Sequence, residues 1–394
     1  MTDCRALYVH IPFCCAKCAY CDFNSYARQE RLIPAYVDAL LREAAFWSGA
    51  NAVATVETLY LGGGTPSLLP IEEAALLLDG LRRLFVIAPD AEITTEANPE
   101  SVDTDRLRAL RRLGVNRLSL GIQSFDDGEL RLLGRIHDAA TAETAYRAAR
   151  AAGFADVSLD LIFGLPGQTV AQWRRSLESA LALEPDHLSL YALTLEDSTP
   201  LSRRVSAGKC PEPDADVQAD MYAWSGDRLA AAGYEHYEIS NWAQPNHRCR
   251  HNLVYWRAEP YLGLGAGAHS YLAGCRFAGE RTPRRYIALV DRLAAAAPAG
   301  DPLTDPTRLP QVTTAERLDT ATEMADAIIV GLRLTDGISP AVFQRRFGVD
   351  LSERYAREIE EVSGLGLLES ADGRMRLTER GRLLGNDVFQ RFLP

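Results

Sequence analysis

The sequence predicts an α/β fold: a parallel sheet of repeated βα units, followed by a smaller, mostly helical C-terminal domain with a winged-helix pattern. Three observations predict it. Short β-rich runs alternate with helical patterns through the first three-quarters of the chain, as strands joined by helical crossovers do. Several helical patterns stop at a glycine (Gly114, Gly153 and Gly233), the residue that most easily adopts the left-handed conformation ending a helix. Polar and glycine clusters recur just after expected strand ends, the face on which parallel α/β folds carry their sites.

The expected strands are 7–11, 56–61, 91–96, 117–121, 157–162, 187–193 and 234–239. They are short runs in which apolar residues recur between turn signals. The expected helices are 34–47, 71–84, 103–113, 139–152, 170–183 and 214–232, the first with Pro34 at an early helical position. The clusters after strand ends are Gly62-Gly63-Gly64-Thr65-Pro66, Glu96-Ala97-Asn98-Pro99, Gln123-Ser124 and Gly164-Leu165-Pro166-Gly167. Periodicity alone leaves an open doubly wound sheet and a full or partial (β/α) barrel equally open. Residues 294–310, rich in Ala, Pro, Gly and Asp, read as a linker. Helical patterns follow at 316–332, 339–347 and 351–363, then a hairpin of strands 367–369 and 375–377 about Ala371-Asp372-Gly373, then a helix from Thr378. The division expected is 1–295 and 296–394.

The chain has 394 residues, 47% of them hydrophobic, and a net charge of −11. No Lys/Arg run marks a nucleic-acid footprint. No stretch approaches the ~20 apolar residues of a membrane span, and the first apolar run is broken by His10 and Pro12, unlike a signal peptide. A soluble, cytoplasmic protein is expected; peripheral membrane contact and a homodimer are compatible with the sequence.

Of eight cysteines, four lie within Cys14-Cys15-Ala16-Lys17-Cys18-Ala19-Tyr20-Cys21. Clustered thiols in a reducing compartment point to metal or redox chemistry. They follow the first expected strand and so lie in a loop. A structural zinc site needs four closed ligands, and Cys15 or His10 could complete the set, but the adjacent Cys14 and Cys15 rarely meet one ion. A ferredoxin pattern would place a further cysteine followed by proline after Cys21, where the chain has Asn24 and Ser25. Three thiolates on a four-iron cube leave one iron open, and an open metal position accepts a substrate. The amino and carboxylate groups of S-adenosylmethionine (SAM) are natural chelators for it. Cys14, Cys18 and Cys21 are therefore the expected ligands of a [4Fe–4S] cluster, with Cys15 left over.

The Cys-x3-Cys-x2-Cys spacing, preceded by Tyr8-Val9-His10-Ile11-Pro12-Phe13 and followed by the Gly62–Thr65 loop, resembles the radical SAM group. Within it the chain is similar to the branch holding oxygen-independent coproporphyrinogen III oxidase (HemN) and the haem chaperones (HemW). The resemblance covers nearly the whole chain, though the C-terminal part only in general pattern. It implies a partial (β/α) radical SAM barrel with a HemN-type C-terminal domain. It implies SAM contact by Tyr8, Gly63, Gly64, Thr65 and Glu96, while Gln123, Arg135 and Asp160 fall on positions that surround a second SAM in the HemN branch. Asp160 is polar within an apolar run, which is costly unless paired, and Arg135 is its expected partner. The oxidase branch carries another cysteine two residues after the third cluster cysteine; here that residue is Phe23. His251-Asn252-Leu253-Val254-Tyr255-Trp256 resembles the motif tied to haem handling in the chaperones, which makes His251 the candidate haem residue, with His247 and Cys249 as competitors. The resemblance thus implies a chaperone that binds haem and passes it to apo-haemoproteins, those of the respiratory chain among them. The alternative is an enzyme that oxidatively decarboxylates two propionates of coproporphyrinogen III. Gly263-Leu264-Gly265-Ala266-Gly267-Ala268-His269-Ser270 resembles family sequence on the SAM side, and by itself reads as a generic glycine-rich turn without the strand-to-helix context of a dinucleotide fingerprint.

Overall fold

The structure is a computed structural model and describes residues 4–293, 302–303 and 305–394. Its centre is one twelve-stranded sheet. From edge to edge the strands are Val312–Arg317, Cys275–Gly279, His269–Leu272, Tyr261–Leu264, Ala6–Ile11, Val56–Gly63, Ile87–Ala97, Arg117–Gln123, Asp156–Phe163, His187–Ala192, Asn241–Ala243 and Glu235–Glu238. Pairing is parallel from Tyr261–Leu264 through His187–Ala192 and antiparallel outside that stretch. The six strands from Ala6–Ile11 to His187–Ala192 stand in chain order and form the partial barrel that the resemblance implied. Burial on both faces explains their composition: Leu7, Val9 and Ile11 point into one layer, while their neighbours face the barrel interior.

Helices cover the outside. Ile33–Gly49 buries Tyr36, Leu40 and Trp47 from one stripe, at helical spacing. Val170–Leu181 starts with a capping box: the Thr169 hydroxyl accepts from the Gln172 amide, and the Gln172 side chain accepts from the Thr169 amide. Beyond the barrel, Ile328, Phe343, Leu351, Val362, Leu377 and Phe392 close a second, smaller core. Its hairpin, Leu368–Ala371 with Arg374–Leu377, turns on Asp372 and Gly373, both at positive φ (53° and 71°), as a two-residue hairpin requires. This unit docks through backbone bonds of Ile239 and Thr335 to Arg333 and Tyr237, at 3.0 and 3.1 Å.

Three expectations are corrected. The run expected over 234–239 is no barrel strand: Glu235–Glu238 pairs antiparallel with Asn241–Ala243 at the sheet edge. The helix expected over 316–332 begins at Thr320, because residues 312–317 extend the main sheet against Cys275–Gly279. The glycine-rich segment is not a simple turn: Tyr261–Leu264 is a parallel neighbour of Ala6–Ile11, followed by two antiparallel strands. Most of the expected linker 294–310 lies outside the described residues.

Candidate functional site

The first barrel strand ends at Ile11 and delivers the cysteine loop to the carboxyl end of the sheet. Phe13–Cys14 pairs with Tyr26–Ala27, and Lys17 Nζ closes the loop by donating to the carbonyls of Phe23 (3.0 Å) and Ser25 (3.3 Å). The loop is docked at its middle. Ala19 N donates to Leu133 O, and Ala19 O accepts from Leu201 N, at 2.9 and 2.8 Å. Cys14, Cys18 and Cys21 line one cavity of about 390 Å³ that runs into the barrel, whereas Cys15 is exposed and lines only a small separate recess. Burial pushes the Cys14 and Cys21 thiols up, and a bound metal would favour their thiolate forms. Among the described residues no three His, Cys, Asp or Glu side chains converge on one ion. Three thiols lining one cavity suit a cube, whose irons are ligated one by one.

The glycine loop closes on this site from the second strand. Its glycines are required by the protein's own packing. A Cβ at Gly63 (φ +113°) would sit 2.4 Å from the His10 ring, and one at Gly64 2.7 Å from Phe13 O. Gly63 N donates to Glu96 Oε2 and the Tyr60 hydroxyl donates to Glu96 Oε1, both at 2.9 Å. Burial raises the Glu96 carboxyl to about 7, against the pull of these two donors. Glu96 therefore faces the cavity as an acceptor held in place from behind. Of the residues expected to contact SAM, Gly63, Gly64, Glu96, Gln123, Arg135 and Asp160 line the cavity together. Tyr8 and Thr65 do not. Tyr8 stacks behind Tyr60, with centroids 6.2 Å apart, and its hydroxyl meets His10 Nδ1 at 2.9 Å. Thr65 is 2% exposed and hydrogen-bonds Cys14.

The expected Arg135–Asp160 pair does not form. Asp160 accepts from Ser119 Oγ (2.8 Å) and Ser158 Oγ (3.2 Å), and burial raises its carboxyl. Arg135 instead reaches Cys18 Sγ (3.3 Å), Asn98 Oδ1 (2.6 Å) and Gly121 O (2.9 Å). Gln123 ends its strand at positive φ (68°), a conformation rarely adopted outside glycine, and turns into the cavity.

His251 lies at the other end of the barrel, on the helix Arg250–Trp256. The side chain of Glu92 accepts the backbone N–H groups of Arg250 (2.9 Å) and His251 (3.0 Å) and seats this helix. The imidazole is 1% exposed, stacked on Tyr60 with centroids 5.1 Å apart. Nδ1 meets Thr58 Oγ1 and Nε2 meets the Tyr255 hydroxyl, both at 2.9 Å. Burial lowers its pKa to about 3, so the ring is neutral. Cys249 is buried beside Glu92, and His247 Nδ1 bonds Asp156. Tyr60 and Asn98 are the site residues that the sequence reading did not single out. Asn98 stood within the polar run after the third strand, which was its signal.

The profile of the Radical SAM superfamily matches residues 8–180, and that of the HemN C-terminal domain residues 318–384. The chain is 36% identical over 390 residues to the protein named heme chaperone HemW of Bacillus subtilis, covering 99% of each. It is 40% identical to that of Mycobacterium tuberculosis H37Rv, covering 98% of this chain and 94% of the relative. The solved structure of Escherichia coli coproporphyrinogen III oxidase (HemN), a radical SAM enzyme, superposes with a TM-score of 0.83 at 25% identity, covering 99% of this chain and 90% of that one. Radical SAM proteins hold a [4Fe–4S] cluster and SAM, and the three cavity thiols beside a glycine loop and a buried carboxylate fit both. The chain belongs to the radical SAM superfamily, among the relatives that carry the name heme chaperone HemW.

Proposed function

We propose that this protein is a haem chaperone that holds a [4Fe–4S] cluster through Cys14, Cys18 and Cys21, binds SAM in the adjoining cavity, and delivers haem to apo-haemoproteins, respiratory ones among them. The observation that carries this reading over the oxidase is Phe23. It lies where the oxidase branch has a thiol, it lines the cavity, and its ring is 64% exposed. An apolar ring at that place offers a porphyrin a contact face and no redox group. When bound, the cluster supplies an electron to SAM. The protein's own part is to position both: the thiols and Arg135 around the cluster, Glu96 and the glycine loop toward the SAM amino group.

His251 belongs to the haem reading on one condition. Its Nε2 becomes a ligand only when the helix Arg250–Trp256 leaves its seat and the Tyr255 bond breaks, so we assign its haem contact to an opened form. Among the described residues no helix is long and apolar enough to cross a membrane.

The test is made on anaerobically reconstituted protein. We expect a haem absorbance spectrum on titration, transfer of that haem to an apo-haemoprotein, and loss of both in His251→Ala. Retained haem affinity and transfer in His251→Ala would remove that residue from the reading. Many turnovers of coproporphyrinogen III to product, with SAM and reductant, would replace the chaperone by the oxidase.

A further inference from the structure

Two of the three cluster thiols are gripped by one hydrogen-bonded chain whose hub is Asn98. Arg135 is 4% exposed and held on three sides. Its Nη2 donates to Asn98 Oδ1 (2.6 Å) and Gly121 O (2.9 Å), and its Nη1 points at Cys18 Sγ (3.3 Å). A guanidinium only donates, so it fixes which end of the Asn98 amide faces it. The opposite end, Nδ2, must then donate, and it does so to Thr65 Oγ1 at 2.9 Å. With that lone pair taken, the Thr65 hydroxyl turns its own proton to Cys14 Sγ, 3.5 Å away. The orientation of each donor follows from the one before it: guanidinium, amide, hydroxyl, sulfur. Glu100 Oε2, 3.9 Å from Arg135 Nη2, balances its charge and lines the same small recess as Cys15 and Cys18.

The geometry points to a further role for these residues: Arg135, Asn98 and Thr65 act as positioning residues that set the reduction potential of the cluster, through N–H and O–H bonds to the Cys18 and Cys14 sulfurs. One-electron reduction adds one negative charge to the cluster and its thiolates. Donors aimed at the sulfurs stabilise that form more than the oxidised one, and raise the potential. The role assigned to Arg135 differs from the SAM contact that the family resemblance implies for it, and it brings in Asn98, to which the resemblance assigns no contact.

The test is a dithionite titration of the reconstituted cluster without SAM, followed by electron paramagnetic resonance, with iron and sulfide content measured for every variant. Thr65→Val keeps the shape and removes one donor. We expect a three- to tenfold loss in the reduction equilibrium constant, where tenfold is about 59 mV for one electron. Asn98→Ala lowers the potential at least as far. The double variant Asn98→Ala/Thr65→Val falls no lower than Asn98→Ala alone, because the amide acts through the hydroxyl. Arg135→Lys keeps the charge and loses the fork, and lands between wild type and Asn98→Ala. A full cluster at the wild-type potential in Thr65→Val and Asn98→Ala would overturn the inference, as would fully additive shifts in the double variant. If Arg135→Lys does not fold, those two variants decide. A wild-type chain that takes up no four-iron cluster would sink the cluster reading itself, an outcome distinct from unchanged potentials.

Discussion

Tyr60→Phe isolates a single hydrogen bond. The ring keeps its stack on His251 (5.1 Å) and Tyr8 (6.2 Å) and loses only the hydroxyl that donates to Glu96 Oε1 at 2.9 Å. A hydrogen bond to a charged group contributes about 1.5–3 kcal/mol, and one pH unit corresponds to about 1.4 kcal/mol. The Glu96 carboxyl, held at about 7 by burial, Gly63 N, Tyr60 and the nearby Asp160, therefore moves up by about one to two units. The sign follows from the charge: a carboxylate is ionised above its pKa, and the ionised form is the better acceptor for the SAM amino group. In the wild type, SAM affinity is expected to rise as pH increases through the Glu96 pKa of about 7. In Tyr60→Phe that rise is displaced upward, and at about pH 7.5 the ionised fraction falls from roughly three-quarters to roughly a quarter or less. Equilibrium dialysis of SAM against the reconstituted protein, between about pH 6 and 9, reads the midpoint. An unmoved midpoint would refute either the Tyr60 donor or the assignment of the SAM amino group to Glu96.

Two other perturbations test the frame around the site. Cys15→Ala is expected to keep the iron content and visible absorbance of the reconstituted protein, whereas Cys14→Ala, Cys18→Ala and Cys21→Ala each lose them; iron and sulfide analysis decides. Glu43 is fully buried and accepts from Gly265 N (2.9 Å), Tyr286 Oη (2.6 Å) and Gln311 Nε2 (3.2 Å). Glu43→Leu leaves these donors without an acceptor, at a cost of about 1–3 kcal/mol for each, and urea denaturation should show a loss of several kcal/mol at an unchanged m-value.

The parallel strands were legible because apolar residues recur at every second position between turn signals, as Leu118 and Leu120 or Val157, Leu159 and Leu161 do. The antiparallel extension was not, and the reason is tertiary. Tyr261–Leu264 and His269–Leu272 are four residues each, too short for a period to emerge. Gly263 reads locally as a turn former. In the fold it lets two backbones cross, since a Cβ there would lie 2.1 Å from His269 O. Glu316 and Arg317 suit a helix by propensity. They are held extended by pairing with Arg276 and Cys275, a partner some forty residues away that no local window contains.

The site divides in the same way. The cysteine spacing carries its chemistry in eight consecutive residues, so it was readable; what surrounds the sulfurs comes from several strands, so it was not. The rule that a buried carboxylate needs a partner led from Asp160 to Arg135, the cation expected nearby. The partners turn out to be hydroxyls, delivered by sheet register: Ser119 pairs with Ser158, and Ser189 with Asp160, so that inward-facing serines of three adjacent strands surround one carboxyl. Neutral donors meet a carboxyl whose pKa burial has already raised, and they leave no cation committed to it. Arg135 is thereby left to pair with Glu100, 3.9 Å away. It is also held by Asn98 and Gly121 O with one nitrogen on the Cys18 sulfur, where its fixed positive charge lies beside the proposed cluster site.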